Sequence, residues 1–190
     1  AKRDFLAVTF EPYARTGGVL KIEDREALLK VVNAVPDAQV MGDLGAIVAY
    51  AKKLPEAKPD RIGVTGFCRG GLYTLLFAAQ SPDVKAAVPW YGQIKPAKTA
   101  GIRTAGPLDL AAQIKAPVLG LYGEADQGIP VADVKEMEAT LKGAGNARAL
   151  AEVTAAVCLA GELSIIGALC AHEFASAHKC RLYVLHLAIL

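Results

Sequence analysis

The 190-residue chain has little net charge: 21 lysines and arginines stand against 19 aspartates and glutamates, which gives +2 at pH 7. Basic residues are scattered, so the sequence shows no cationic face for nucleic acid or an anionic membrane. Long apolar runs are also missing. The most apolar segments are 153–169, which Glu162 interrupts, and 182–190. A membrane-spanning helix needs about 20 apolar residues. We therefore predict neither a nucleic-acid partner nor a membrane span.

Cysteine is scarce and forms no metal or redox motif. The chain has Cys68, Cys158, Cys170 and Cys180 without a Cys-x-x-Cys pair, which disfavours a zinc ribbon or a thioredoxin-like site. Cys170 and Cys180 are a candidate disulfide, but reduced thiols are the simpler interpretation for a chain of this size. No basic region followed by an apolar one opens the sequence, so we expect no secretory leader. These features favour a cytoplasmic protein without metal or cofactor.

Apolar residues make up 53% of the sequence and charged residues 21%, a balance typical of a globular protein. Short apolar segments that favour strands alternate with stretches of helical spacing. Strands are predicted at residues 5–10, 61–65, 85–90 and 117–122. This alternation predicts an α/β fold with a mostly parallel, doubly wound sheet. Because no linker or repeat is visible, we expect one domain over 1–190, with a strand at 162–166 or a helix at 147–160 in its atypical tail.

The stretch from Ile62 to Gly71 combines a strand pattern, a glycine turn and a helix pattern. Its turn reads Gly66-Phe67-Cys68-Arg69-Gly70-Gly71. Strand, sharp turn and helix in this order are the setting of a nucleophile elbow. The helix N-terminus points free N–H groups and a positive dipole end at Cys68, which favours a thiolate at this position and an oxyanion beside it. The alternative is a buried structural cysteine in a crossover.

A cysteine nucleophile needs a base and a carboxylate that orients the base. Asp126 follows the predicted strand 117–122, which places it at the same sheet edge as Cys68. Glu124 is the alternative candidate for the orienting carboxylate. Asp126 could instead serve only as a helix cap.

All three histidines, His172, His178 and His186, come late in the chain. We take His172 as the candidate base because it alone follows a possible strand. The alternative is a structural histidine in an apolar tail.

Together these motifs resemble the dienelactone hydrolases, α/β-hydrolases with cysteine in place of serine. The resemblance covers roughly residues 3–148. The segments that carry it are Pro12-Tyr13-Ala14-Arg15, Pro36-Asp37-Ala38-Gln39-Val40, the elbow, Trp90-Tyr91-Gly92, and Ala116 to Asp126. It implies a monomer that hydrolyses a small lactone or ester through a Cys-His-Asp triad and an acyl-enzyme. Cys68 resembles the nucleophile and Asp126 the acid. Arg15 matches the arginine that binds a substrate carboxylate, and Tyr13 and Trp90 are further candidates for substrate contact.

The chain departs from the family pattern at both ends. Family members have further strands before the point where this chain starts, which carry a glutamate near the resting cysteine and one of the two oxyanion amides. Of these two donors, the resemblance leaves only the Arg69 amide. His172 comes later than the family's histidine, and Ser176 stands where a second arginine is expected. We therefore expect a sheet without the usual N-terminal strands, weak hydrolysis and self-association. Two alternatives are a non-catalytic remnant of the fold and a redox-sensing thiol protein in which one of the other cysteines resolves oxidised Cys68.

Overall fold

The computed structural model describes residues 6–143 and 185–189. Its elements, in chain order, are β1 (Leu6–Phe10), α1 (Arg25–Ala34), α2 (Asp37–Ala51), β2 (Ile62–Phe67), α3 (Arg69–Gln80), β3 (Val84–Trp90), α4 (Pro107–Leu110), α5 (Val131–Gly143) and β4 (Leu185–Ile189). The predicted helix over 147–160 and strand over 162–166 lie outside the described residues.

The strands form one sheet in the order β1-β4-β2-β3. β3 is parallel to β2, and β4 is antiparallel to both β1 and β2, so β1 runs in the same direction as β2. Segment 117–121 extends the sheet beyond β3, since the Leu119 N–H donates to the Ala87 carbonyl at 3.0 Å and the Leu121 N–H to the Pro89 carbonyl at 3.0 Å. This mostly parallel sheet with intervening helices confirms the predicted α/β class. The antiparallel strand β4 in the tail was not predicted.

The core lies where α2 and α3 pack on the sheet. Every residue of β2 is buried, as is nearly all of α3. From α2, Val40, Leu44 and Val48 recur at a spacing of four residues and are at most 2% exposed. Each fully buried side chain of this size contributes about 1.5–3 kcal/mol. The strand and helix on either side of Cys68 are therefore held rigidly, which gives the turn between them a defined geometry.

Helix starts follow local chemistry. α1 begins at Arg25 because the Asp24 carboxylate accepts a hydrogen bond from the Ala27 N–H at 2.7 Å.

In the part of the chain that the structure describes, no helix has both the length and the apolar character to cross a membrane.

Candidate active site

Cys68 lies at the sharp turn between β2 and α3, where the sequence predicts it. Its backbone has φ 54° and ψ −116°, a region that a residue with a side chain rarely adopts and that costs about 1–3 kcal/mol. Two hydrogen bonds hold it: the Cys68 N–H donates to the Trp90 carbonyl at 2.9 Å, and the Leu72 N–H donates to the Cys68 carbonyl at 3.1 Å. Strain of this kind, over-determined by its surroundings, is typical of a nucleophile elbow.

Two glycines allow α3 to approach the end of β3. A Cβ on Gly71 would lie 2.6 Å from the Trp90 carbonyl oxygen, and one on Gly92 would lie 2.3 Å from the Gly71 carbonyl carbon. Both contacts are with backbone, which cannot turn aside as a flexible side chain can. Glycine is therefore required at both positions, and Tyr91, the residue before Gly92, lines the same cavity as Cys68.

Cys68 opens into a cavity of about 300 Å³, a volume that suits a small molecule. Its lining includes three of the predicted site residues, Cys68, Arg69 and Asp126. The other described residues that line it are Leu72, Tyr91, Gln93, Arg103, Gly128 and Ile129. The N–H of Arg69, at the first position of α3, has no partner within the helix and is free to donate to an oxyanion beside Cys68.

The loop before α5 orients Asp126. The Asp126 carboxylate accepts a hydrogen bond from the Gly128 N–H at 2.8 Å, and its own N–H donates to the Gly123 carbonyl at 3.2 Å. Glu124 is exposed and is not among the described residues that line the cavity. Since α5 begins only at Val131, the described bond of Asp126 belongs to the loop and not to a helix cap.

Tyr91 is a cavity residue that the sequence reasoning did not single out. Its φ is 38°, again in the left-handed region, and its N–H donates to the Leu121 carbonyl at 2.8 Å. Burial, and then the negative charge of a neighbouring Cys68 thiolate, raises the pKa of Tyr91. The one signal in the sequence for Tyr91 as a site residue is its place in Trp90-Tyr91-Gly92, a segment that carries the family resemblance.

Trp90 is not among the described residues that line the cavity. Its ring stacks on Phe67 with centroids 5.1 Å apart, and its indole Nε1 donates to the Thr65 hydroxyl at 3.2 Å. Trp90 thus supports the elbow strand from the neighbouring strand.

Arg15 and Tyr13 also stay outside this cavity lining as far as the structure describes it. The Arg15 side chain is 60% exposed and pairs with Asp43, whose hydrogen bond raises the pKa of the guanidinium. Tyr13 is fully buried, and its carbonyl accepts from the Thr16 hydroxyl at 2.8 Å. The loop after β1 therefore directs neither side chain to Cys68.

Arg103 is a second cavity residue that was not among the predicted site residues. Arg103 is 8% exposed. Its Nε donates to Asp37 Oδ2 at 2.6 Å and its Nη2 to Oδ1 at 2.8 Å. The loop is anchored beside this pair, since the Asp37 N–H donates to the Ile102 carbonyl at 2.8 Å.

The candidate base, His172, lies outside the described residues, as do His178 and the three other cysteines. His186 lies in β4, where its backbone is in register with Thr9 and Thr65. Within the described ranges no three potential metal ligands cluster.

A larger cavity of about 410 Å³ lies between α5 and segment 118–122. Its lining is mostly aliphatic. The charged residues there, Glu138 and Lys142, pair with each other at 2.6 Å on the surface of α5. Cysteine, serine and threonine are all absent from the described residues of this lining, so the Cys68 cavity is the candidate site.

The model of the dienelactone hydrolase family matches residues 1–153. A relative from Methylorubrum extorquens named "Putative carboxymethylenebutenolidase" is 49% identical over 146 residues, which are 76% of this chain and 50% of that protein. A relative of the same name from Escherichia coli O157:H7 is 40% identical over 150 residues, 78% of this chain and 54% of that protein.

A solved structure named as a putative dienelactone hydrolase from Klebsiella pneumoniae aligns with a TM-score of 0.64 and 40% identity, over 70% of this chain and 55% of that one. Acylaminoacyl peptidase from Pyrococcus horikoshii, at 23% identity and a TM-score of 0.53 over 64% of this chain and 24% of that one, shares the fold alone. The chain spans about half the length of the curated relatives it matches. The match to the family model covers most of this chain. The chain therefore belongs to the dienelactone hydrolase family.

Proposed function

We propose that the chain carries an acyl-transfer site that hydrolyses small lactones or esters, with Cys68 as the nucleophile. The observation that carries this proposal is the position of Cys68: a strained turn at a helix N-terminus, open to a cavity that Asp126 also lines. Family membership and relatives named as carboxymethylenebutenolidases support a lactone as the substrate.

In the proposed reaction, the Cys68 thiolate attacks the carbonyl carbon and forms a C–S bond. The negative charge moves to the carbonyl oxygen, where the Arg69 N–H donates a hydrogen bond. Collapse of this tetrahedral species breaks the C–O bond. The leaving oxygen takes a proton from the base, for which His172 is our candidate, with Asp126 orienting it. Water then hydrolyses the thioester, its proton goes to the base, and the thiolate returns.

We also propose that the substrate carries a carboxylate. A small cavity whose described lining includes two arginines and one acid favours an anionic ligand. A reducing compartment such as the cytoplasm would suit this chemistry because the nucleophile must remain a free thiol.

The test is hydrolysis of p-nitrophenyl acetate and of a five-membered enol-lactone, combined with intact mass measurement during turnover. We expect an acyl adduct on the peptide with Cys68, and loss of both adduct and turnover in Cys68→Ala. Cys158→Ala is the matched control and should keep both. Turnover that persists in Cys68→Ala would show that the nucleophile is elsewhere.

The second candidate is a non-catalytic member of the fold, favoured because no histidine is among the described residues that line the Cys68 cavity. A folded sample that hydrolyses neither substrate and forms no adduct would support it. Losing one oxyanion donor typically lowers a rate by about 10²–10³. The assay must therefore detect turnover at least a thousandfold below that of a full-length relative.

A further inference from the structure

Cys68 and Tyr91 share a rare backbone conformation. Among the described residues other than glycine, only these two have a positive φ, which is 54° for Cys68 and 38° for Tyr91. A residue with a side chain stays in this region only when its surroundings hold it there, and such residues concentrate at active sites. Both line the same cavity. The conformation of Cys68 belongs to the nucleophile elbow, whereas the proposed reaction gives Tyr91 no part, so its conformation needs a reason of its own.

Hydrogen bonds fix the backbone of Tyr91 relative to the elbow. The Cys68 N–H donates to the carbonyl of Trp90, the residue directly before Tyr91, at 2.9 Å, and the Tyr91 N–H donates to the Leu121 carbonyl at 2.8 Å. On the other side, a Cβ on Gly92 would lie 2.3 Å from backbone atoms of α3. Tyr91 is therefore held from both sides, and its position is tied to that of the nucleophile.

The phenol of Tyr91 lies beside the nucleophile. Its ring is near that of Phe67, the residue before Cys68, with centroids 6.3 Å apart and an interplanar angle of 54°. Burial raises the pKa of Tyr91, and the negative charge of a Cys68 thiolate raises it further. Such an effect requires the phenol oxygen and the sulfur to be close to each other. At neutral pH the cavity therefore holds a protonated phenol next to the sulfur.

The proton of the Tyr91 hydroxyl is available to a ligand. A phenol has one O–H donor, and this hydroxyl forms no hydrogen bond with another residue that the structure describes. When Cys68 attacks a carbonyl carbon, the oxygen that becomes negative is only two bonds from the sulfur. A donor beside the sulfur is thus also beside this oxyanion. Donors fixed in place before the reaction are what an oxyanion requires.

We propose that Tyr91 is a further catalytic residue, whose hydroxyl donates a hydrogen bond to the oxyanion alongside the Arg69 amide. The inference rests on the proposed function. Arg69 contributes its amide from the N-terminus of α3, and Tyr91 contributes its hydroxyl from the residue after β3. The proton stays on the phenol throughout. The hydrogen bond strengthens as the carbonyl oxygen gains charge, and it weakens again when the C–O bond to the leaving group breaks and the carbonyl re-forms.

The experiment compares two reactions of the Cys68 thiolate. Acylation by p-nitrophenyl acetate passes through an oxyanion, whereas iodoacetamide alkylates by direct displacement of iodide and forms none. Because p-nitrophenolate leaves without a proton, a residue that protonates the leaving group does not affect this acylation. Release of p-nitrophenolate, less the release by Cys68→Ala, gives the acylation rate. The mass of tryptic peptide 62–69, whose one cysteine is Cys68, gives the alkylation rate.

Tyr91→Phe removes the hydroxyl and keeps the aromatic ring. We expect it to lower the acylation rate about 10²-fold, as loss of one oxyanion donor typically does, and to change the alkylation rate by less than about threefold. The matched control is Tyr122→Phe. Tyr122 lines the larger cavity and is not among the described residues of the Cys68 cavity, so this variant should keep both rates.

A second measurement tests the contact without any reaction. In protein with ring-¹³C-labelled tyrosine, the resonance of Tyr91 is identified by its loss in Tyr91→Phe and is followed against pH. Cys68→Ala should lower the pKa of Tyr91, because the thiolate charge that disfavours the phenolate is removed. An unchanged pKa would place the phenol away from the sulfur and overturn the assignment.

The outcomes separate this inference from the proposed function. If wild type releases no more p-nitrophenolate than Cys68→Ala, the proposed function fails, and the inference fails with it. If wild type is acylated and Tyr91→Phe is acylated equally fast, only the inference fails. Equal losses of acylation and alkylation in Tyr91→Phe would show that Tyr91 acts on the thiolate or on the fold, and would also overturn the role at the oxyanion.

Discussion

Replacement of Gly71 by alanine tests whether the close approach of α3 to β3 shapes the elbow. An added Cβ would lie 2.6 Å from the Trp90 carbonyl oxygen and 2.9 Å from the Gly92 nitrogen. An ordinary contact begins near 3.4 Å, so the two backbones must separate by about 0.8 Å. Overpacking of this kind costs about 1–3 kcal/mol, and backbone partners place it at the upper end.

Alanine also has an advantage at this position, because Gly71 is in a helix, where alanine is preferred by about 1 kcal/mol. The net loss in the free energy of unfolding should then be about 2 kcal/mol. Gly42, inside α2, is the matched control, since a Cβ there meets nothing within 4 Å. Gly42→Ala should therefore stabilise the protein by up to about 1 kcal/mol.

The assay is urea unfolding with thermal unfolding beside it. For a chain of this length, 1 kcal/mol corresponds to about 2–4 °C in Tm. We expect Gly71→Ala to lower Tm by about 4–8 °C and Gly42→Ala to raise it by up to about 4 °C. Because the Cys68 N–H bonds the displaced Trp90 carbonyl, Gly71→Ala should also change the rate of Cys68 alkylation. A Gly71→Ala protein as stable as Gly42→Ala would refute the reasoning about backbone contact.

Two further predictions concern the acid and the buried tyrosines. Asp126→Asn should keep the fold and lower ester hydrolysis by at least about 10²-fold by disorienting the base, while the exposed Glu124→Gln changes little. The reverse pattern in kcat would exchange the two assignments. Burial raises the pKa of Tyr91 and Tyr122 above their ordinary value of 10. Their neutral forms therefore stabilise the fold fully below pH 10. This contribution should be lost as pH rises further, at up to about 1.4 kcal/mol per pH unit for Tyr122 and by less for Tyr91, whose partial exposure screens its charge. Urea unfolding between pH 8 and 11 measures the fall, and Tyr122→Phe should make it shallower; a flat profile would contradict it.

The sequence by itself determined the local chemistry of the site. Cys68 and its turn were predictable because strand, glycine turn and helix start are encoded within the ten residues from Ile62 to Gly71. The place of Asp126 also followed from short-range order, since the carboxyl ends of parallel strands meet at one sheet edge. The structure has Cys68 and Asp126 in one cavity lining. Their catalytic roles and that of His172 stay predictions.

Only the tertiary structure decided which charged side chains face that cavity. Arg103 pairs with Asp37 across 66 positions of sequence, while Arg15 pairs with Asp43 across 28. Asp43 binds one guanidinium at the surface, and Asp37 orients the other inside the protein. Both aspartates belong to α2, so these pairs depend on how α2 packs, which no local sequence pattern contains. The same holds for β4, whose antiparallel place between β1 and β2 joins segments more than a hundred residues apart. Long-range pairing of charges and strands depends on the assembled chain, whereas turns and helix starts depend on their neighbours in sequence.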